Sequence, residues 1–182
     1  MIVKNEEKDL PRLLSSIRGL ADETIIVDTG SNDNTVDIAK SYGAKVYHFP
    51  WCNDFSAARN ESLKYATKDY ILWLDADDEI KHEEHHKIRN DLKRHKGAGL
   101  FLRLKNVYGD SGTDFLQLRI FPNHKGIIFE GRVHEQAIHC LEEKMIPTYA
   151  SEAQVLHHGY DTNENIVEKS KRNRDILEIE IK

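Results

Sequence analysis

Apolar positions along this chain recur with two different periods, and the change from one to the other marks its organisation. Met1–Val3 (MIV) reads as a short strand. It leads into a helix on which Leu10, Leu13, Leu14, Ile17 and Leu20 recur every three or four residues. Thr24–Val27 (TIIV) is a second strand, ending at Asp28. After the turn TGSNDN, Val36, Ile38 and Ala39 open a short helix that stops before Gly43. KVYHF (45–49), closed by Pro50, is a third strand, FSAARNESLKYA (55–66) a helix and YILWL (70–74) a fourth strand. Strands separated by helices of this length predict βαβ units: an α/β fold with a mainly parallel sheet flanked by helices.

The second half changes character. GLFLRLKNVY (99–108) and FLQLRIF (115–121) are separated only by the polar, glycine-rich turn GDSGTD, which predicts an antiparallel pair added to the parallel sheet. IIFEGRVHE (127–135) and VLHHGY (155–160) read as short strands or loops. TNENIVEKSKRNRDILEIEIK is a polar helix whose Ile166, Ile176, Leu177 and Ile179 need a surface to bury against. The expected division is one domain over 1–160, followed by a C-terminal helix over 161–182 that starts a further region. The short first strand and exposed last helix suggest a trimmed domain or a fragment.

Bulk properties narrow the class. A chain of 182 residues, 39% hydrophobic and 31% charged, fits one ordinary domain with a real core. The net charge of −5 comes with no basic stripe, which argues against nucleic acid as a partner. No stretch approaches the ~20 apolar residues of a membrane span, and MIVKNEEKD lacks the pattern of a signal peptide. Two cysteines, Cys52 and Cys140, are too few for a disulfide framework, so the cytosol is the expected compartment.

YILWLDADDE sets the chemical question, because the most hydrophobic strand runs straight into four carboxylates in five positions. Ligands of open α/β sheets bind beyond the carboxyl ends of the strands. Here MIV runs into Lys4-Asn5-Glu6-Glu7, TIIV into Asp28, and YILWL into Asp75-Ala76-Asp77-Asp78. Oxygen-only clusters suit hard cations such as Mg²⁺ or Mn²⁺, which take few protein carboxylates and fill the rest of their shell with water and substrate phosphate. Asp75 and Asp77, two apart in extended chain, project to the same side; one can reach a metal while the other accepts hydroxyls. The bland alternative is a solvated acidic loop capping a helix that starts at 79–82.

Three other motifs fail on inspection. Calcium loops starting at Asp28 and at Asp75 both lack the EF-hand glycine and glutamate, with Asp33 and Ala39 in the first and Ile80 and His86 in the second. His82-Glu83-Glu84-His85-His86 matches the zinc-protease signature, with Glu83 in the place of the base. Its helix, however, is polar almost all round, with Ile88 and Leu92 as the only large apolar residues.

Taken together, MIVKNEE, IIVDTGSNDNT, GAKVYHFPW, DFSAARNESL and YILWLDADDE resemble, in order and spacing, a family 2 glycosyltransferase with the Rossmann-like GT-A fold. The subgroup most resembled carries helical repeats or acts on lipopolysaccharide core or peptides. The resemblance implies an inverting transfer of sugar from a nucleotide-diphosphate donor, UDP above all, to an unknown acceptor: a saccharide, a lipid-linked glycan or a peptide. An acceptor of the second kind would bring a cytoplasmic enzyme to the inner face of a membrane.

It also implies roles. Asp77 would ligate Mn²⁺ or Mg²⁺ bridging the donor phosphates, Asp75 would face the ribose, and Asp28 the base. Glu6 would lie where the first strand meets the nucleotide, and Arg59 near the base or diphosphate. Asp28 alternatively forms the turn before Gly30. GRVHEQA offers Glu135 as the general base, with Glu130 as runner-up; a structural Glu135 would pair with Arg132 or Arg119. VLHHGY resembles a late histidine motif, so His157 or His158 would complete the metal shell. Trp51 and Trp73 read as packing residues, Trp51 with the option of touching a sugar. A nucleotidyltransferase would show a glycine-rich basic loop where KNEEKDL stands, and a sugar-binding module has no need of Asp75 and Asp77 to hold a metal.

Overall fold

Short β-branched segments pair first. Ile2–Val3 (β1), Ile25–Asp28 (β2) and Lys45–His48 (β3) form a parallel sheet in the order β1-β2-β3, with Ile2 opposite Val27 and Ile25 opposite Lys45. The crossovers are helices α1 (Leu10–Ser16) and α2 (Thr35–Ser41). Leu10, Leu13 and Leu14 share the face of α1 that turns to the sheet, and Pro11 occupies its first turn, where a missing N–H costs nothing. Helix α3 (Phe55–Leu63) begins at Asp54, whose side chain accepts a 2.9 Å hydrogen bond from the Ala57 amide. This computed structural model describes residues 1–107, 114–159 and 163–180, with side chains of the last helix described over 170–179.

The antiparallel pair expected in the second half is present as β6 (Gly99–Asn106) and β7 (Asp114–Pro122); the turn between them, save Asp114, lies outside the described residues. Two more strands enclose it. Tyr70–Leu72 (β4) pairs antiparallel with β7, and Thr148–His157 (β8) runs parallel to β6. With Asp78–Glu79 (β5) on the outer edge of β8, the order is β4-β7-β6-β8-β5. YILWL is therefore strand only over its first three residues, and it joins this mixed sheet rather than the parallel one. Its partner explains the choice: Ile71 sits opposite Phe121 and Leu72 opposite Ile120, and the Trp73 amide continues the ladder to the Arg119 carbonyl at 3.1 Å.

One buried cluster nevertheless joins the two sheets, running from Leu10, Leu13 and Ile26 to Leu74, Ile80, Leu100 and Val155. Each such side chain contributes roughly 1.5–3 kcal/mol. A second cluster gathers Trp73, Phe121, Phe129 and Leu141, the last carried by helix α5 (Ile138–Glu143), which sequence patterning misses because it is barely two turns long. A 3₁₀ turn over His82–Glu84 precedes helix α4 (His85–Arg94), and helix α6 (Asn163–Glu180) closes the described chain. Among the described residues no helix is long and apolar enough to cross a membrane.

Candidate active site

The acidic turn after β4 is held together by two buried arginines. Arg59, from α3, places Nη2 2.7 Å from Asp75 Oδ1 and donates through Nε to Glu135 Oε1. Arg119, from β7, lies 3.1 Å from Asp78 Oδ2 and 3.5 Å from Asp75 Oδ2 through Nη1. The two guanidiniums stack on the Trp73 ring, at 4.4 and 4.1 Å from its centroid, a contact worth about 2 kcal/mol when desolvated. Trp73 is thus more than filler; its indole, fixed by a 2.8 Å bond from Nε1 to the Leu118 carbonyl, is in contact with both cations. Mutual repulsion of the acids is offset at its source. Burial works against ionisation of Asp75, but Arg59 and then Arg119 outweigh it and hold the carboxyl well below the usual range. Burial likewise works against the Arg59 charge, and Asp75 and Glu135 more than restore it.

Asp78 is fully buried. Its Oδ2 accepts the Asp75 amide at 2.8 Å as well as facing Arg119, and its Oδ1 lies 2.9 Å from His157 Nδ1. That contact follows from the register, in which β5 sets Asp78 opposite His157 on β8. Asp77, Asp78 and His157 offer ligand atoms within 4.8 Å of one another, a mixed carboxylate and imidazole set that fits Mn²⁺ well and Mg²⁺ acceptably. Burial lowers the proton affinity of His157, but the Asp78 hydrogen bond and the Asp77 charge outweigh it, so its pKa is raised. His158 has another neighbour: its Nε2 lies 2.9 Å from Glu79 Oε2. Successive side chains of extended backbone point to opposite sides, which separates the two histidines.

A cleft runs from Val3, Lys4 and Glu6 past Arg59 and Asp75 to Asp77 and His157. Trp51 and Phe55 line it, their rings edge to face at 4.8 Å. A second pocket shares Phe55, Arg59 and Asp75 with the cleft and continues to Gln117, His134, Glu135 and Asn173. Glu135 therefore stands on the far side of Arg59 from the Asp77 site. Its partner is Arg59, whereas Arg132 lies 3.6 Å from Asp54 and Arg119 serves the acidic turn. Glu130 is exposed, its backbone bridged to Gln136.

The remaining expected residues divide. Glu6 borders the cleft, and its amide donates to Thr35 Oγ1 at 2.7 Å. Asp28 is buried at the end of β2, where its carboxylate accepts the Gly30 and Ser31 amides at 3.2 Å; the adjacent Thr29, not Asp28, lines the cleft. The zinc-protease match dissolves, because His82 lies in the 3₁₀ turn before α4, and Glu84 and His85 are buried, His85 at 2.8 Å from the Ser16 carbonyl.

One cleft residue escaped the sequence reading. Arg172 of α6 reaches both pockets and lies over the Phe55 ring, 5.0 Å from its centroid. Burial lowers its pKa, with Glu135 and Glu6 acting in the other direction. Only its place in a run of charged helical residues was visible in sequence, and that pattern usually marks a solvated face.

Relatives agree with this architecture. The sequence profile of the family described as glycosyl transferase family 2 matches residues 1–155. A TPR repeat-containing protein of Synechococcus elongatus is 42% identical over 136 residues, which cover 74% of this chain and 34% of that protein. The SPbeta prophage-derived glycosyltransferase SunS of Bacillus subtilis is 30% identical over 98% of this chain and 43% of its own length. The chain thus spans well under half of these relatives. Among solved structures, S. aureus TarS 1-349 in complex with UDP-GlcNAc superposes with a TM-score of 0.72 at 19% identity, covering 91% of this chain and 59% of that one. That likeness establishes a shared GT-A fold, and with the profile match over most of its length this chain belongs to glycosyl transferase family 2.

Proposed function

We propose that this glycosyltransferase binds a UDP-sugar in the cleft beside Asp77 and His157 and transfers the sugar, with inversion, to a hydroxyl presented from the Glu135 pocket. The observation that carries the reading is the junction of the two pockets at Arg59 and Asp75, with candidate metal ligands on one side and a carboxylate on the other. TarS is described in complex with both UDP-GlcNAc and UDP, which supports the choice of nucleotide.

In this reading Asp77 and His157 hold Mn²⁺ or Mg²⁺, which when bound offsets charge on the leaving diphosphate. Arg59 stays charged and fixes Asp75 and Glu135 at the junction, Asp75 toward the ribose. Glu135 takes the proton from the acceptor hydroxyl as that oxygen attacks the anomeric carbon from the face opposite the diphosphate. Glu6 and Thr29 border the nucleotide, and Asp28 shapes the turn that carries Thr29. His158 supports the turn through Glu79. The sugar and acceptor are set by loops and are left open.

Calorimetric titration with UDP, in Mn²⁺ and again in EDTA, tests the donor site. Binding is expected with the metal and is expected to vanish in EDTA; equal binding in both would remove the metal from the reading. GDP is expected to bind more weakly than UDP.

Arg172 supplies a cation at the cleft rim that Arg59, engaged by two carboxylates, does not. Arg172→Ala is expected to weaken UDP binding about tenfold, the loss of one charge-assisted contact, with unchanged thermal stability. The same titration reads it, and unaltered affinity would place Arg172 outside the nucleotide site.

A further inference from the structure

The chain after β8 approaches the acidic turn at a glycine. A Cβ built on Gly159 would fall within contact distance of Asp77 Oδ2, 2.5 Å from His157 Nε2 and 3.0 Å from His157 Cε1. Two donor atoms, one from the turn before β5 and one from the end of β8, thus border one point beside the Gly159 backbone. Gly159 is not among the glycines with positive φ, so its backbone would accept alanine without strain. Space, not conformation, demands a glycine here.

The orientation of His157 has its own cause. A carboxylate only accepts, so Asp78 Oδ1, 2.9 Å away, requires the proton of a neutral imidazole on Nδ1, the nitrogen that also lies 3.5 Å from Asp77 Oδ1, and leaves the lone pair on Nε2, the ring atom that borders the point beside Gly159 together with Asp77 Oδ2. Asp78 is fixed in turn, since its other oxygen meets both Arg119 and the Asp75 amide. A buried carboxylate behind a ligating histidine is how metal sites set tautomer and ring angle.

We infer that Asp78, neutralised by Arg119, is a positioning residue rather than a metal ligand, and that Gly159 keeps open the volume in which Asp77 Oδ2 and His157 Nε2 share a divalent cation. This rests on the metal site proposed above. It divides the Asp77, Asp78 and His157 cluster into two donors and one orienting group, and it adds a size restriction that no titratable residue reveals.

The test is Mn²⁺ binding to the 182-residue chain, followed by the paramagnetic resonance signal of the free ion, alongside thermal unfolding. Gly159→Ala is expected to stay folded, with a Tm lowered only modestly as Asp77 and His157 give way, and to lose at least about tenfold in Mn²⁺ affinity, the usual scale for disturbing the surroundings of a metal ligand. Unchanged Mn²⁺ affinity in Gly159→Ala, with affinity lost in His157→Ala, would overturn the inference while sparing the metal site. Wild-type chain that binds no Mn²⁺, or binds it equally after His157→Ala, would remove the site and the inference together. A second reading needs no variant: nitrogen-15 spectra of metal-free protein at alkaline pH are expected to show His157 protonated on Nδ1. Protonation on Nε2 would overturn the role given to Asp78.

Discussion

Asp77→Asn is expected to lower the rate of UDP release from a UDP-sugar by about three orders of magnitude while leaving the fold intact. Such a loss equals ~4 kcal/mol of transition-state stabilisation, the upper scale for removing one preorganised group that meets developing charge. The substitution separates two neighbouring aspartates whose surroundings differ. Asp78 is fully buried and shared among Arg119, an amide and His157, so its loss would strand a buried cation and destabilise the chain. Asp77 lines the cleft, and neither Arg59 nor Arg119 is among its ion-pair partners; His157 Nδ1 lies 3.5 Å from its Oδ1. Asn there keeps the volume and removes one negative charge from the proposed cation site. Unfolding followed by circular dichroism is expected to give a Tm within about 2 °C of wild type. A rate kept within tenfold of wild type would take Asp77 out of the metal site.

The parts of this site that were legible in sequence are those whose signal is local. Strand ends carrying acids, the Asp75-Ala76-Asp77 spacing and the helix of α3 follow from the pattern of residues, while Arg59, Glu135 and His157 were singled out through the family resemblance; the structure brings all of them, with Asp75 and Asp77, around two joined pockets. What escaped is set by pairing between distant segments. Arg119 sits at an ordinary alternating position of FLQLRIF, and only the β4–β7 register turns it under the acidic turn. The third carboxylate in DADDE looks like a solvated cap until β5 pairs with β8 and buries Asp78 against His157. For the same reason His157 and His158 were indistinguishable in sequence, since β5 on the neighbouring edge sets Asp78 against His157 and Glu79 beside His158. Asp28 shows the reverse: its two readings, turn former and ligand-facing acid, were both visible, and the structure gives its carboxylate to the turn amides.

Glu135→Gln is expected to lower kcat by a factor of about 10² to 10⁴, the range for losing a positioned general base, with the KM for donor changed little. The amide has nearly the same shape, and its oxygen can still accept from Arg59 Nε, so the side chain stays in place. What it loses is the charge and the capacity to take a proton. That charge also has a structural task, because Arg59 is buried and its carboxylate partners among the described residues are Asp75 and Glu135. Glu135→Gln is therefore expected to cost roughly 1–3 kcal/mol of stability as well, the scale of a weakened bond to a buried charge. The two effects are separable by comparing kcat with Tm, and Glu130→Gln, altered at an exposed position, is expected to change neither. A lowered Tm with kcat kept within tenfold would make Glu135 an anchor for Arg59 alone. The proton of the acceptor would then have to go to a base outside this junction, and the Glu135 pocket would lose its claim to the acceptor.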